Sequence, residues 1–463
     1  MMERDLPRGW TQVTLGEIVT LKNGFAFNSR DYKKKGVPII RISDIRDDKI
    51  SLEKSVKVEQ SSKMAEFIVE RGDILIAMSG ATTGKTGIFN ESEIAYQNQR
   101  VGNIRPIHPQ LVSREFIYHL IAFLRKEIEG LAYGGAQPNI SAKEIGSITT
   151  KLPPLAEQKR IVAKLDAAFA HLEKMKVSLA RIPELLKRFR EAVLTQAVTG
   201  KLTEEWREGK GNIEWEARKL NSNIISLPAD WAVKTCDKLG QHKLGKMLDQ
   251  AKNEGERTFY LRNVNVRWFR FDLSDLAMMK ANDSDRIKFD VKNGDLFVCE
   301  GGEPGRAAVW DNGENELIFQ KALHRIRFNS DVNPYWFLYN LNSASISGVL
   351  KTLFTGTGIM HLTLKSLSKF EVPIPKLEEQ KEIVRIVEYL FSIADAIESQ
   401  YHVLKQKIDN LPQALLAKAF RGELVPQDPD DEPAAVLLEK IRNEMGKLGK
   451  KGKKQGVFDL VEG

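Results

Sequence analysis

Cysteine is nearly absent from this chain: Cys236 and Cys299 are the only two among 463 residues. Two thiols so spaced build neither a disulfide framework nor a zinc site of ordinary ligand spacing. Long apolar runs are missing as well, and no stretch approaches the ~20 residues of a membrane span. The opening segment, Met1 to Arg8, is charged and lacks the apolar stretch of a secretion leader. These absences lead to the expectation of a reduced, cytoplasmic compartment and no membrane. Histidine is sparse too, with seven residues scattered so that no pair has helix-face metal spacing. No serine or cysteine stands in a nucleophile context.

Three motifs come close to catalytic signatures and each falls short. Gly80-Ala-Thr-Thr-Gly84-Lys85-Thr86 follows an apolar run, as a phosphate-binding loop would, but it has one residue too few between its glycines. The sequence after it, Gly87-Ile-Phe-Asn, does not read as a helix. Leu152-Pro153-Pro154-Leu155 has the outline of the turn with which amino-methyltransferases grip an extruded base. Leucines stand where that turn needs a polar residue and an aromatic one. Glu157-Gln158-Lys159 matches half of a metal-nuclease signature with no paired acid before it, so its carboxylate reads as a first-turn helix residue. The chain is therefore expected to carry no catalytic residues, no metal and no cofactor of its own.

What the sequence does contain is a repeat. Pro153, Leu155, Glu157, Gln158, Lys159, Ile161 and Val162 return as Pro375, Leu377, Glu379, Gln380, Lys381, Ile383 and Val384, a constant 222 residues on. Ala192, Leu194, Ala197, Gly200 and Leu202 return as Ala414, Leu416, Ala419, Gly422 and Leu424. Before each shared helix the copies match only in outline: Leu6-Pro7 to Trp10 answers Leu227-Pro228 to Trp231, and Gly72-Asp73 answers Gly294-Asp295. A duplicated frame with two divergent faces suits a protein that reads two different targets. The balance of 70 Lys and Arg against 62 Asp and Glu, a net charge of +8, admits nucleic acid as a partner, although solvated surface charge explains it equally well.

The shared segments read as long helices. Ile161, Leu165, Ala168, Leu172, Met175, Leu179, Ile182, Leu186, Phe189 and Val193 alternate four and three apart, as do Ile383, Val387, Leu390, Ala394, Ile397, Tyr401, Leu404, Ile408, Leu411 and Leu415. Such seams want partner helices, and the expectation is one antiparallel coiled coil that acts as a spacer, with Pro183 and Pro412 kinking or interrupting it. The first seam rises about 48 Å at ~1.5 Å per residue. Asp73 to Met78 and Asp295 to Cys299 read as buried strands, Phe116 to Leu124 and Tyr335 to Leu341 as short helices. The fold class is α+β. A first strand-rich domain spans 1–152, a helical spacer 153–206, a polar linker 207–227, a second strand-rich domain 228–374, a distal helical spacer 375–424 and a tail 425–463.

Polar loop clusters are the candidates for double-stranded DNA. In the first domain they are Thr82, Thr83 and Lys85; Gln97, Asn98, Gln99 and Arg100; and Gln137 and Asn139. In the second they are Glu303 and Arg306; Gln320 and Lys321; and Thr355, Thr357 and His361. Asn and Gln pair bidentately with adenine and Arg with guanine. Solvated loop is the competing explanation for each cluster.

Leu-Pro-Arg-Gly-Trp10 with Leu-Pro-Ala-Asp-Trp231, Pro-Pro-Leu-Ala-Glu-Gln-Lys159 with its echo before Lys381, and Ile182-Pro-Glu-Leu-Leu-Lys-Arg-Phe-Arg-Glu-Ala-Val-Leu194 carry a family resemblance. By these segments, which span residue 6 to about residue 445, the chain resembles the specificity (S) subunits of type I restriction-modification systems. The resemblance implies a non-catalytic DNA-recognition subunit. It implies two methyltransferase (M) subunits, which hold S-adenosylmethionine, and two restriction (R) subunits, which use ATP and magnesium. A DNA-binding scaffold or regulator without methyltransferase partners is the alternative.

Overall fold

The computed structural model describes residues 6–46, 49–108, 112–132, 138–208, 214–249, 251, 253–313, 316–440 and 442–443. The chain divides into two compact units, Met1–Ser178 with Leu404–Gly463, and Leu179–Val403. The first unit is thus assembled from both ends of the chain.

In the first unit, β1 (Thr11–Thr14), β2 (Val19–Asn23), β3 (Val37–Ile40), β4 (Ile74–Ala77), β5 (Thr86–Ile88), β6 (Ala95–Gln97), β7 (Val101–Pro106) and β8 (Thr149–Leu152) are the main strands. β7 lies between β2 and β4, and β5 follows β4, all antiparallel. β3 pairs with β6 in parallel, and β1 pairs with β8 antiparallel. Helix α1 (Arg114–Ala132) presents Phe116, Ile117, Leu120, Ile121, Leu124 and Ile128 to the core at helical spacing. Helix α2 (Leu155–Leu179) leaves β8 through the two prolines and buries Ile161, Leu165 and Leu172.

The second unit opens on α3 (Ile182–Val198) and continues through β9 (Trp215–Leu220), β10 (Asn223–Pro228), β11 (Ala232–Thr235), β12 (Gly240–Leu244), β13 (Glu256–Leu261), β14 (Ala277–Ala281), β15 (Leu296–Cys299), β16 (Ala307–Val309), β17 (Ile318–Phe319), β18 (Leu323–Phe328), α4 (Pro334–Ile346), β19 (Glu371–Ile374) and α5 (Leu377–Phe420). The order β12-β18-β15-β16 repeats β2-β7-β4-β5. β13 pairs with β17 in parallel as β3 does with β6, and β11 pairs with β19 antiparallel as β1 does with β8. The α+β repeat expected from the outline matches is a repeat of strand topology.

Several expectations need correction. The helix expected from 157 to 199 is two helices, interrupted between Leu179 and Ile182 as expected near Pro183, which sits in the first turn of α3, where its missing amide costs nothing. Against the expectation Pro412 does not interrupt α5, which is continuous from Leu377 to Phe420. The heptad seams are only partly buried: Ile383, Val387 and Ala394 are core, whereas Met175, Ile397 and Leu404 are 48%, 42% and 48% exposed. Leu186 is buried, Leu179 and Leu390 half-buried, and Phe189 and Leu411 exposed. Near the recognition units the seam is module core. In the second unit α3 does meet α5, through Arg190 to Asp395 at 2.6 Å and to Glu398 at 2.8 Å.

The segment expected as a linker is largely structured. β9 and β10 form a hairpin whose turn residues Asn221 and Ser222 both take positive φ, as a tight two-residue turn requires. Arg207 is buried, its guanidinium 5.5 Å from the Trp215 ring and 5.7 Å from the Trp231 ring. The tail is also part of a core. Ala434, Leu437 and Leu438 recur at helical spacing on residues 434–440 and are buried in the first unit, where the Ala434 amide donates to the Gly9 carbonyl. Arg160 pairs with Asp431 at 2.6 Å. The lysine-rich stretch after residue 446 lies outside the described residues. Gly200 and Gly422 cap their helices at φ of 79° and 75°, as their positions predict.

Candidate nucleic-acid interface

One backbone frame is built twice. In the first unit the Phe25 amide donates to the Gln97 carbonyl, Gln99 to Phe25, Met78 to Arg100 and Ile140 to Met78, each at 2.9 Å. In the second unit Lys246 donates to Phe319, Lys321 to Lys246, Glu300 to Ala322 and Leu362 to Glu300, at 2.8 to 2.9 Å. The turn after β4 is held by Lys85 to Thr82 and Gly84 to Ala77, and the turn after β15 by Arg306 to Glu303 and Gly305 to Cys299. Gly24 and Gly245 make the frame possible, since a Cβ there would stand 2.1 Å from the Gln97 carbonyl oxygen and 2.3 Å from that of Phe319. Four loops distant in sequence thereby converge in each unit.

The frame recurs and its side chains do not. Phe25 is replaced by Lys246, Asn98 by Gln320, Gln99 by Lys321, Arg100 by Ala322 and Met78 by Glu300. Sequence reasoning missed Phe25, Met78, Lys246 and Glu300. The glycine before Phe25 and its counterpart before Lys246 were the available signal.

In the first unit Gln99, Arg100 and Asn139 are exposed, and Thr82, Lys85 and Asn98 are half-buried. The Gly80 amide donates to Pro138, and Ser79 pairs with Asn139 across a β-bridge, so the 80–85 turn and the start of the 138–140 segment adjoin. Two candidates are used by the fold. Gln97 is 3% exposed, and its amide donates to the carbonyls of Lys22 at 2.7 Å and Val101 at 2.6 Å. Thr83 is buried with its hydroxyl on the Gly80 carbonyl at 2.7 Å. Gln137 lies outside the described residues.

In the second unit Glu303, Lys321, Thr355, Thr357 and His361 are exposed, and Arg306 and Gln320 are half-buried. Glu303 accepts from Arg306 at 2.8 Å and from the Trp268 indole at 3.2 Å, so this acid and base present a joined pair. Arg306 also donates to the Asn263 carbonyl at 2.8 Å.

Beneath both surfaces a pair of acids fixes the sheet. Asp73 accepts from Arg105 Nε at 2.9 Å, and Asp295 accepts from Arg327 Nε at 2.7 Å. Burial alone would raise the Asp73 carboxyl, but Arg105, the Glu70 amide and Asn103 together hold it below the usual range. At the base of each unit a tryptophan and a glutamate lock the strand to its helix. Trp10 donates to Glu157 at 2.9 Å and Trp231 to Glu379 at 3.1 Å. Gln158 and Gln380 donate to the Pro153 and Pro375 carbonyls and accept from the Ser113 and Asn333 amides. The Glu-Gln-Lys motif is thus a structural clamp, and its signal was the tryptophan that precedes each copy, 147 residues before Glu157 and 148 before Glu379.

Burial pushes the Cys299 thiol up to about 11 and the Cys236 thiol further still. Neither is a thiolate near neutral pH. Among the described residues no cluster of three or more His, Cys, Asp or Glu has metal-holding geometry, and no helix is long and apolar enough to cross a membrane. The arrangement offers hydrogen-bond donors, acceptors and positive charge on two loop platforms of one design.

The family profile described as type I restriction modification DNA specificity domain matches residues 7–182 and again 228–406. The type I restriction enzyme EcoBI specificity subunit of Escherichia coli is 32% identical over 96% of this chain and 94% of its own length. The EcoKI specificity subunit of Escherichia coli K12 is 31% identical over 96% and 97%. Among solved structures, the HsdS subunit from Thermoanaerobacter tengcongensis superposes with a TM-score of 0.62 at 18% identity, covering 91% of this chain and 99% of that one. A chain from a solved type I R-M assembly gives 0.64 at 19% identity, covering 91% and 100%. With both of its copies matched, the chain belongs to the type I restriction-modification DNA specificity family.

Proposed function

We propose that this chain is the sequence-specific DNA recognition subunit of a type I restriction-modification complex. Each unit reads one half of a bipartite target. The observation that carries the reading is the twice-built loop frame with exchanged side chains: identical platforms put different hydrogen-bonding groups toward a common ligand. Base contacts are assigned to Gln99, Arg100, Asn98, Asn139, Thr82 and Lys85 in the first unit. In the second they are assigned to Gln320, Lys321, Arg306, Glu303, Thr355, Thr357 and His361.

The helices set the separation of the half-sites and dock two methyltransferase subunits, and two restriction subunits join the nuclease form. An antiparallel pairing of α3 with α5 is supported by the ion pairs of Arg190 with Asp395 and Glu398. S-adenosylmethionine belongs to the methyltransferase subunits and ATP with magnesium to the restriction subunits; this chain contributes recognition and assembly. The test is a genome-wide map of methylated adenines in the source cell with and without the gene. Loss of one bipartite motif on deletion is the expected result. An unchanged map together with no copurifying methyltransferase would favour a scaffold or regulator.

A further inference from the structure

Between α4 and β19 the second unit carries a small finger, residues 355–361. Thr355 and His361 close it with reciprocal backbone hydrogen bonds, the Thr355 amide to the His361 carbonyl at 2.8 Å and the His361 amide to the Thr355 carbonyl at 2.9 Å. Its turn is tight: Gly356 takes φ of 113°, and a Cβ there would lie 2.3 Å from the Ile359 carbonyl oxygen. The base is anchored, because Leu362 is buried, its amide donates to the Glu300 carbonyl and its carbonyl meets the His324 ring at 2.7 Å. At the tip stand Ile359, 74% exposed, and Met360, 49% exposed.

A single exposed apolar side chain means little. Two in succession at the end of a braced turn are a different matter, since folding gains nothing from holding them there. Their surroundings identify the ligand. The finger springs from the candidate DNA platform: Glu300, which its base bonds, bonds in turn to Ala322 beside Lys321, and a Cβ on Gly301 would lie 3.1 Å from His361 Nδ1. A stable protein interface needs about 800 Å² from each partner, far more than two side chains offer. A gap between base pairs accepts one or two apolar side chains, and Ile and Met are among the residues that enter it.

We propose that Ile359 and Met360 are a wedge that enters the duplex at one base step of the second half-site, unstacks it and kinks the DNA. The proposal rests on the DNA-recognition reading above and adds to it a site of deformation. Its corollary is specificity without base contact, because a flexible pyrimidine–purine step deforms more readily than others.

The experiment uses the full chain assembled with its methyltransferase subunits on duplexes carrying the mapped target, with 2-aminopurine at successive positions of the second half-site and dyes at the ends. Wild type is expected to brighten one step and to shorten the end-to-end distance. The double variant I359A/M360A should lose both signals and bind roughly tenfold more weakly to the intact duplex, a change of about 1.4 kcal/mol. It should recover affinity on a duplex already mismatched at that step. I359L/M360L should behave as wild type. Brightening caused by the methyltransferase at its target base is recognised because the variant leaves it unchanged. A wild-type complex that binds specifically with no wedge-dependent step, or a double variant that loses its methyltransferase subunits instead, would overturn the wedge while sparing DNA recognition. Failure of wild type to bind any duplex specifically would overturn the recognition reading itself.

Discussion

The two copies of one glutamate have different electrostatic fates. Glu379 accepts from Trp231, from Thr203 and from the buried Arg207, a closed set in which the charge is matched. Glu157 accepts from Trp10, and its second oxygen has no partner among the described residues. Burial therefore raises the Glu157 carboxyl above its ordinary value of 4.5, against the pull of Trp10 and Arg160. A raised acid favours the folded state most when neutral. The first unit thus holds this contribution in full below 4.5 and loses it as pH climbs through the raised value. Glu157→Gln keeps an acceptor for Trp10 and removes an unmatched charge, so the melting temperature at neutral pH should be unchanged or higher and the local pH slope should vanish. Glu379→Gln leaves Arg207 buried and unpaired and should cost the second unit about 3–5 kcal/mol in denaturant titration. Asp290 tests the opposite sign. Burial raises its carboxyl, but Lys292, Arg327 and Arg325 overcome that and pull it down to about 2. Its contribution to the second unit is present above 3.8 and disappears as pH falls toward about 2. Asp290→Asn should flatten that acid limb while destabilising the unit at neutral pH, since Arg325 is 3% exposed.

At the scale of elements the two prolines make the sharpest comparison. Pro183 sits in the first turn of α3, where no intrahelical bond is lost, whereas Pro412 sits inside α5. Pro183→Ala should shift stability by less than about 0.5 kcal/mol. Pro412→Ala should stabilise the first unit measurably, by up to ~3 kcal/mol, read as slower hydrogen exchange in the last turns of α5. Much at this scale was legible in the sequence. The strands at Asp73–Met78 and Asp295–Cys299, helices at Phe116 and Tyr335 and the capping glycines all follow from local pattern. What stayed hidden depends on partners that local pattern cannot name. Residues 207–227 look polar because Arg207 is solvent-like in sequence, yet two indoles and Glu379 bury it. Gln97 looks like a base reader because only the fold brings the Lys22 and Val101 carbonyls to its amide. Loop positions were found where polar residues cluster in sequence, and Phe25, Met78 and Glu300 were missed because apolar or acidic residues occupy them, Lys246 because it stands apart from the polar clusters.

For the whole molecule the decisive fact is that the first unit is closed by the end of the chain. Phe420 lies 5.5 Å from the Phe116 ring and 5.0 Å from that of Phe123, and Leu437 and Leu438 join the same core. Truncation after Leu424 should therefore lower the first unfolding transition and leave the second in place, followed by hydrogen exchange of the two units. The same fact sets the terms of a domain exchange. Replacing residues 10–152 by the corresponding segment of a relative should change one half of the methylated motif and leave the other half and the gap intact, provided the incoming helix keeps aromatic residues to meet Phe420. An incoming segment with small residues there should fold poorly, and Phe420→Ala in the host should then relieve nothing, because the loss is of packed volume and not of fit. A motif altered in both halves would mean that the two loop platforms do not act separately, and the duplicated frame would then need another explanation.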